Sequence, residues 1–338
     1  MIAARPFMTF WRFLRPINRF VCAVGVHTVY LSVVYSASLG RKVGPVKAAR
    51  SVLGAALVLV AQLFSAPAIT RAAGIESLMV PSAAMGRDIP VTFLGGGAHA
   101  VYLLDAFNAG ETVSNWVTAG NAINTLSGKG FAVVAPAGGA YSMYTDWSQD
   151  RSRQWETFLT DELPNWLSAN KGLAPGGHGV VGASQGGTAA MNLAIDRPDR
   201  FRYAGSMSGF LYPANTFVNG AITEGMMRFG GVDTRNMWGM PQAGRWKDHD
   251  PYSHLQVLAD NNTRIWVFSP KTLTASDPAA MIGYADQAQG TNRDFFAQYA
   301  QVKGGNGHFD FPPDGDHGWS SWGPELAKMS PDLATNIR

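Results

Sequence analysis

Cysteine and charge are what this chain has least of. Only Cys22 among its 338 residues is a cysteine, and it falls within the N-terminal 73, so the body that follows has neither a disulfide framework nor a thiol nucleophile. Val21 stands before Cys22 where a lipoprotein signal would carry a small residue. Charged side chains make up 15% of the chain against 46% hydrophobic, enough apolar material for one large core. Acidic residues are absent from positions 1–73, which hold nine lysines and arginines; the remainder has 18 basic against 24 acidic residues, a net of −6 where the whole chain has +3. An acidic body with no basic groove and no nucleic-acid motif argues against DNA or RNA as a partner. No H-E-x-x-H, cysteine pair or clustered carboxylate motif points to a metal. No G-x-G-x-x-G opens a helix and no P-loop occurs, so no cofactor is expected.

The N-terminus has the layout of an export signal. Lys47-Ala48-Ala49-Arg50 is a charged opening, Val52 to Phe64 is an uncharged apolar run, and Ser65-Ala66-Pro67-Ala68 offers the small residues a peptidase needs. Cleavage near Ala68 to Ala73 is expected, giving a secreted or envelope-associated protein. The competing expectation is a membrane anchor, but Ser51 to Thr70 is barely long enough to span a bilayer and contains Gln62 and Pro67. Phe20 to Leu39 is also apolar, interrupted by His27 and several serines; an overextended start and an additional membrane segment are the two readings of it. The expected division is a basic extension with signal sequence over 1–73 and one α/β-hydrolase domain over 74–338.

Within that domain short apolar runs alternate with helical windows. Asp88 to Leu94, Ala100 to Leu104, Phe131 to Pro136, His178 to Ala183, Tyr203 to Met207 and Arg264 to Ser269 read as strands. Val117 to Leu126, Gln154 to Asn170 and Thr291 to Val302 read as helices. The alternation predicts an α/β fold with a mostly parallel central sheet and helices on both faces. Function then belongs in loops beyond the carboxyl ends of the strands. The stretch Tyr212 to Trp246, rich in Gly, Met and Trp, shows little period and is expected to form a cap.

Gly182-Ala183-Ser184-Gln185-Gly186 fits a nucleophile elbow between a strand and a helix, in the α/β-hydrolase manner. The glycines let the turn close, Gly187 lets the helix pack against the strand, and the helix N-terminus faces the developing charge. A serine hydroxyl needs an imidazole to take its proton, and the chain order serine, acid, histidine leaves His249, His254, His308 and His317 as candidates. His317 is preferred because Asp314-Gly315-Asp316-His317-Gly318-Trp319 is a glycine-punctuated loop near the C-terminus. Asp277 and Asp286 both follow the strand where the acid is expected, and Asp286 is the choice between them. Backbone N–H groups of Gln185 and Phe107 are the expected oxyanion donors. Trp319, two residues beyond His317, is the tryptophan expected to face ligand, while burial in a core is the default for the other nine.

Several segments are similar to the antigen 85 family of secreted mycolyltransferases. They are His99-Ala-Val-Tyr-Leu-Leu-Asp105, the Gly182–Gly187 elbow, Ser206-Met-Ser-Gly-Phe-Leu-Tyr-Pro213, Gly304-Gly-Asn-Gly-His-Phe-Asp-Phe-Pro312 and Asp316-His-Gly-Trp-Ser-Ser-Trp322. Phe229-Gly-Gly-Val-Asp-Thr-Arg-Asn-Met-Trp-Gly239, Gly244-Arg-Trp-Lys247 and Ala275-Ser-Asp-Pro-Ala-Ala-Met-Ile-Gly283 resemble one branch of that family, the MPT/MPB fifty-one antigens. The resemblance implies transfer of a mycolyl chain between trehalose esters, or other cell-wall acyl glycolipids, through a seryl ester. For the branch it implies instead a non-catalytic envelope protein that binds fibronectin or small sugars and has lost its nucleophile and histidine. Ser184 and His317 depart from that branch towards chemistry. The family's acid falls close to Gly283, and Asn108 stands where its sugar-loop arginine would be; Asp105 is implied to contact a trehalose hydroxyl.

Overall fold

The computed structural model describes residues 74–241, 244–271, 283–303 and 305–337. The expected signal segment and Asp277 lie outside the described residues. Eight strands form one sheet: β1 (Ile75–Ser82), β2 (Arg87–Leu94), β3 (Ala100–Leu104), β4 (Ala132–Pro136), β5 (His178–Ala183), β6 (Phe201–Met207), β7 (Arg264–Phe268) and β8 (Gly307–Asp310). Their order is β1-β2-β4-β3-β5-β6-β7-β8. β2 runs antiparallel to both β1 and β4, and every other pairing is parallel.

The alternation of side chains along each strand divides the core in two. Ala100, Tyr102 and Leu104 of β3, Ala132 and Val134 of β4, and Ile265 and Val267 of β7 face one layer. Val101 and Leu103, Val133 and Ala135, and Trp266 and Phe268 face the other. Helices cover both. Leu163, Leu167, Ala190, Met191, Ala194, Leu255, Leu258 and Phe295 close the first layer, and Trp116, Leu126, Trp322, Leu326, Met329 and Leu333 close the second. Burial on both faces makes the strands nearly continuous apolar runs, each fully buried Val, Leu or Ile contributing roughly 1.5–3 kcal/mol.

The helices that position the site are α1 (Asn115–Thr118), α2 (Gln185–Asp196), α3 (Thr216–Gly230), α4 (Tyr284–Gln301) and α5 (Trp319–Asn336). The helical window over Val117 to Leu126 is two short helices, α1 and the segment Ala122–Leu126. The expected cap is more regular than its composition indicated. Asn215 caps α3 by accepting the Phe217 N–H at 3.0 Å, and Gly231, at φ 63°, ends it. Val218, Ala221, Ile222 and Met226 give α3 a buried stripe at helical spacing. With Phe107, Met143, Phe210, Met237, Trp238 and Trp246 they form a third apolar cluster.

Candidate active site

Ser184 follows β5 directly and precedes α2, with φ 53° and ψ −118°. That conformation is costly for an L-residue, about 1–3 kcal/mol, and persists because its surroundings over-determine it. The Ser184 N–H donates to Met207 O at 2.9 Å, and Ser184 O accepts the Gly187 and Thr188 N–H groups. The glycines around it answer to contact. A Cβ on Gly182 would lie 2.1 Å from Gly186 C and O, one on Gly186 would lie 2.4 Å from Leu104 O, and one on Gly187 would lie 2.7 Å from Ser206 Oγ.

His317 Nε2 lies 2.9 Å from Ser184 Oγ. Two networks hold the imidazole there. The Asp316 N–H donates to Ser321 Oγ at 2.8 Å, and the Asp316 carboxylate accepts the hydroxyls of Ser321 and Ser320 at the start of α5. Asp316 is thereby a helix-terminal anchor, which places its neighbour over the elbow. The His317 ring packs edge-on against Trp322, with centroids 5.3 Å apart, and lies 6.2 Å from the Phe210 ring. Phe210 is in turn fixed to the elbow helix: Thr188 Oγ1 donates to Phe210 O at 3.1 Å, and the Phe210 N–H is 2.9 Å from the same hydroxyl. The other histidines serve elsewhere. His249 stacks on Trp238, His254 Nε2 meets Lys247 O at 3.0 Å, and His308 stacks on Trp266.

The structure shows no hydrogen bond between Asp286, the expected acid, and His317. Asp286 is exposed in the first turn of α4, a favourable position for a carboxylate against the helix dipole. Gly283 is the αL residue immediately before that helix.

Asp105, for which the resemblance implies a sugar contact, is engaged by bonds within the protein. It is fully buried, and its carboxylate accepts the Ser114 hydroxyl at 2.9 Å and the Asn115 and Trp116 N–H groups at 3.0 and 3.1 Å. Burial is the largest influence on it and raises its pKa to about 6 against the pull of those hydrogen bonds. The Trp116 Nε1–H closes the same unit by donating to Leu104 O at 2.8 Å. Asn108 is exposed, its carbonyl accepting from Asn115 Nδ2 at 2.8 Å. Trp319 is half-buried between Trp116 and Trp322, with ring centroids 5.0 and 5.1 Å away.

Phe107 lies in the loop after β3 and Gln185 opens α2, so both stand beyond the carboxyl ends of neighbouring strands. As the first helical residue Gln185 has no intrahelical acceptor for its N–H. Phe210 and Trp322 fall within segments that carry the family resemblance, but their part as walls of the histidine, and the loop Tyr141 to Tyr144 beside the elbow, were not marked by any sequence pattern. Tyr141, Met143 and Tyr144 have φ of 49°, 53° and 50°, a run of left-handed residues with no glycine among them.

The comparisons agree with this geometry. The family model Esterase, described as "Putative esterase", matches residues 82–333. The MPT51/MPB51 antigen of Mycobacterium tuberculosis is 68% identical over 268 residues, covering 79% of this chain and 90% of that protein. The diacylglycerol acyltransferase/mycolyltransferase Ag85B of Mycolicibacterium smegmatis is 43% identical over 276 residues, covering 77% and 84%. The crystal structure of Mycobacterium tuberculosis MPT51 (FbpC1) superposes with a TM-score of 0.76 at 68% identity, covering 79% of this chain and all of that one. With a mostly parallel sheet, an elbow at the end of β5 and matches of this breadth, the chain belongs to the esterase family of α/β hydrolases, alongside the MPT51/MPB51 antigens and their more distant Ag85 mycolyltransferase relatives.

Proposed function

We propose that the chain is an exported serine acyltransferase or esterase acting on mycolyl or other acyl esters of trehalose in the cell envelope. The observation that carries the reading is the 2.9 Å approach of His317 Nε2 to Ser184 Oγ on a strained elbow. Neutral His317 takes the Ser184 proton as Oγ bonds to the ester carbonyl carbon, and the N–H groups of Gln185 and Phe107 hold the oxyanion that forms. As the tetrahedral species collapses, the sugar oxygen leaves with the proton from His317 and a seryl ester remains. A second sugar hydroxyl or water then gives its proton to His317 as its oxygen bonds to the seryl ester carbon, and His317 returns the proton to Oγ as the Oγ–acyl bond breaks, freeing Ser184. The apolar cluster of Phe107, Met143, Phe210, Ile222 and Met226 beside this centre suits an acyl chain. Asn108 and Trp319 are the proposed sugar contacts, since Asp105 is taken up within the protein. Export rests on the signal pattern before Ala68 to Ala73, and the choice of a mycolyl ester rests on the mycolyltransferase activity named for the Ag85 relatives.

A lipophilic phosphonate tests it. The full chain should gain the mass of one adduct at Ser184, lost in Ser184→Ala, and should release or transfer acyl groups from a trehalose monoester. A second reading, a non-catalytic envelope protein binding fibronectin or small sugars, draws support from 68%-identical relatives that are named as antigens. Absence of adduct and turnover, with sugar or fibronectin binding equal in wild type and Ser184→Ala, would establish that reading instead.

A further inference from the structure

The side chain of Gln185, unlike its backbone, has no assigned part in the chemistry, yet it is fully buried and makes three hydrogen bonds across the site. Its Nε2 donates to Ala106 O and to Gly139 O, both at 2.9 Å, and its Oε1 accepts the Met143 N–H at 3.0 Å. Both amide hydrogens are thus used, and all three partners are backbone atoms of the two loops that flank the elbow.

The contact to Ala106 matters most. Ala106 C=O and Phe107 N–H belong to one planar trans peptide, so they point in opposite directions and turn together. Holding that carbonyl towards Gln185 fixes the direction of the N–H expected to receive the oxyanion. Neighbouring bonds lock the same stretch: the Asp105 N–H donates to Tyr144 Oη at 2.9 Å, and Phe107 O accepts the Tyr141 N–H at 3.0 Å. The loop that supplies these partners contains the left-handed residues Tyr141, Met143 and Tyr144. Such a conformation holds only where it is tied down, and Gln185 Oε1 ties its middle residue.

We infer that the Gln185 side chain is a positioning residue: while its own N–H forms one half of the oxyanion hole, its carboxamide orients the Ala106–Phe107 peptide that forms the other. This rests on the acyl-transfer reading above. It explains why a polar amide is buried behind a nucleophile, where an apolar side chain of equal length would fill the space without fixing the peptide.

The test compares full-length wild type with Gln185→Met, which keeps the length and removes all three hydrogen bonds. On a short-chain nitrophenyl ester, kcat should fall about 30- to 300-fold, near the effect of losing one oxyanion donor, while KM changes by less than about threefold. Affinity for a trifluoromethyl ketone, which forms a tetrahedral oxyanion on Ser184, should fall in step with kcat, a readout that loosened packing alone would not move selectively. Turnover within about threefold of wild type, or a rise in KM that accounts for the loss, overturns the inference. Should Gln185→Met not fold, Gln185→Glu, which keeps the acceptor for Met143 and removes the amide donors to Ala106 and Gly139, is judged by the same criteria. Failure of both to fold makes Gln185 a core residue and also overturns it. A wild type with neither adduct nor turnover removes the acyl-transfer reading and this inference with it; an active wild type with an unaffected Gln185→Met removes this inference alone.

Discussion

Asp105 Oδ1 accepts the hydroxyl of Ser114 at 2.9 Å inside the protein, beyond reach of solvent. With the N–H groups of Asn115 and Trp116 on the same carboxylate, the loop leaving β3 is closed back on itself at the edge of the site. Asp105→Ala leaves the Ser114 hydroxyl and the Asn115 N–H without their carboxylate acceptor and the Trp116 N–H with Ser114 Oγ alone, at 3.2 Å, and should cost about 1–3 kcal/mol of stability by urea unfolding. The KM of the remaining folded protein for a sugar ester should stay within about twofold. Unchanged stability with a tenfold higher KM would return Asp105 to ligand binding.

The strain at Ser184 separates stability from activity. Glycine adopts φ 53°, ψ −118° far more readily than serine or alanine. Ser184→Gly and Ser184→Ala both lose the hydroxyl and its contact with His317, so the difference between them isolates the backbone. Ser184→Gly should be more stable than Ser184→Ala by about 1 kcal/mol, about two degrees in Tm, with both devoid of turnover. Equal melting temperatures would mean that the turn relaxes once the hydroxyl is gone.

Glu156 gives a stability change with pH whose sign is fixed. Burial first, then the nearby Asp196 and Asp146, raise its pKa from 4.5 to about 7. His249, 4.0 Å away, brings no compensating charge near neutrality because burial lowers its own pKa to about 4. A carboxyl with a raised folded-state pKa holds its proton more tightly in the folded chain. Its contribution is fully present below the unfolded value near 4.5 and is lost as pH rises through about 7. Glu156→Gln removes that dependence, so its stability relative to wild type should improve by on the order of 2 kcal/mol between pH 5 and pH 8. Parallel melting curves for the two proteins across that range would show that Glu156 ionises freely in the fold.

Six of the strands were legible because burial on both faces makes them continuous apolar runs. β1 was not, since as an edge strand it leaves Ile75, Glu76, Ser77 and Met79 exposed, and β8 is four half-exposed residues opening on a glycine. α3 was hidden by Gly220 and Gly225, although Val218, Ala221, Ile222 and Met226 carry its period. The elbow was legible because its geometry dictates residue types: a Cβ at Gly182, Gly186 or Gly187 would meet atoms closer than 3 Å. The Gln185 clamp was not, because Ala106, Gly139 and Met143 contribute only backbone atoms, which leave no mark on residue identity.

Chain order narrowed the acid to Asp277 and Asp286, but order says nothing about contact. Asp286 lies exposed on the first turn of α4, where its charge interacts with the helix N-terminus and with water. Asp286→Asn keeps the volume and removes the charge, so it should leave acyl transfer within about threefold of wild type, less than roughly 0.7 kcal/mol of transition-state stabilisation. Its thermal stability should drop by no more than about 1 kcal/mol, the usual worth of a carboxylate at a helix start. A carboxylate that orients the imidazole behaves otherwise, its amide replacement lowering turnover by about 10⁴-fold with the fold intact. Measuring Asp286→Asn beside Asp277→Asn on one trehalose monoester decides the matter: a loss of orders of magnitude in Asp286→Asn would restore it as the orienting acid and require α4 to approach His317 during turnover.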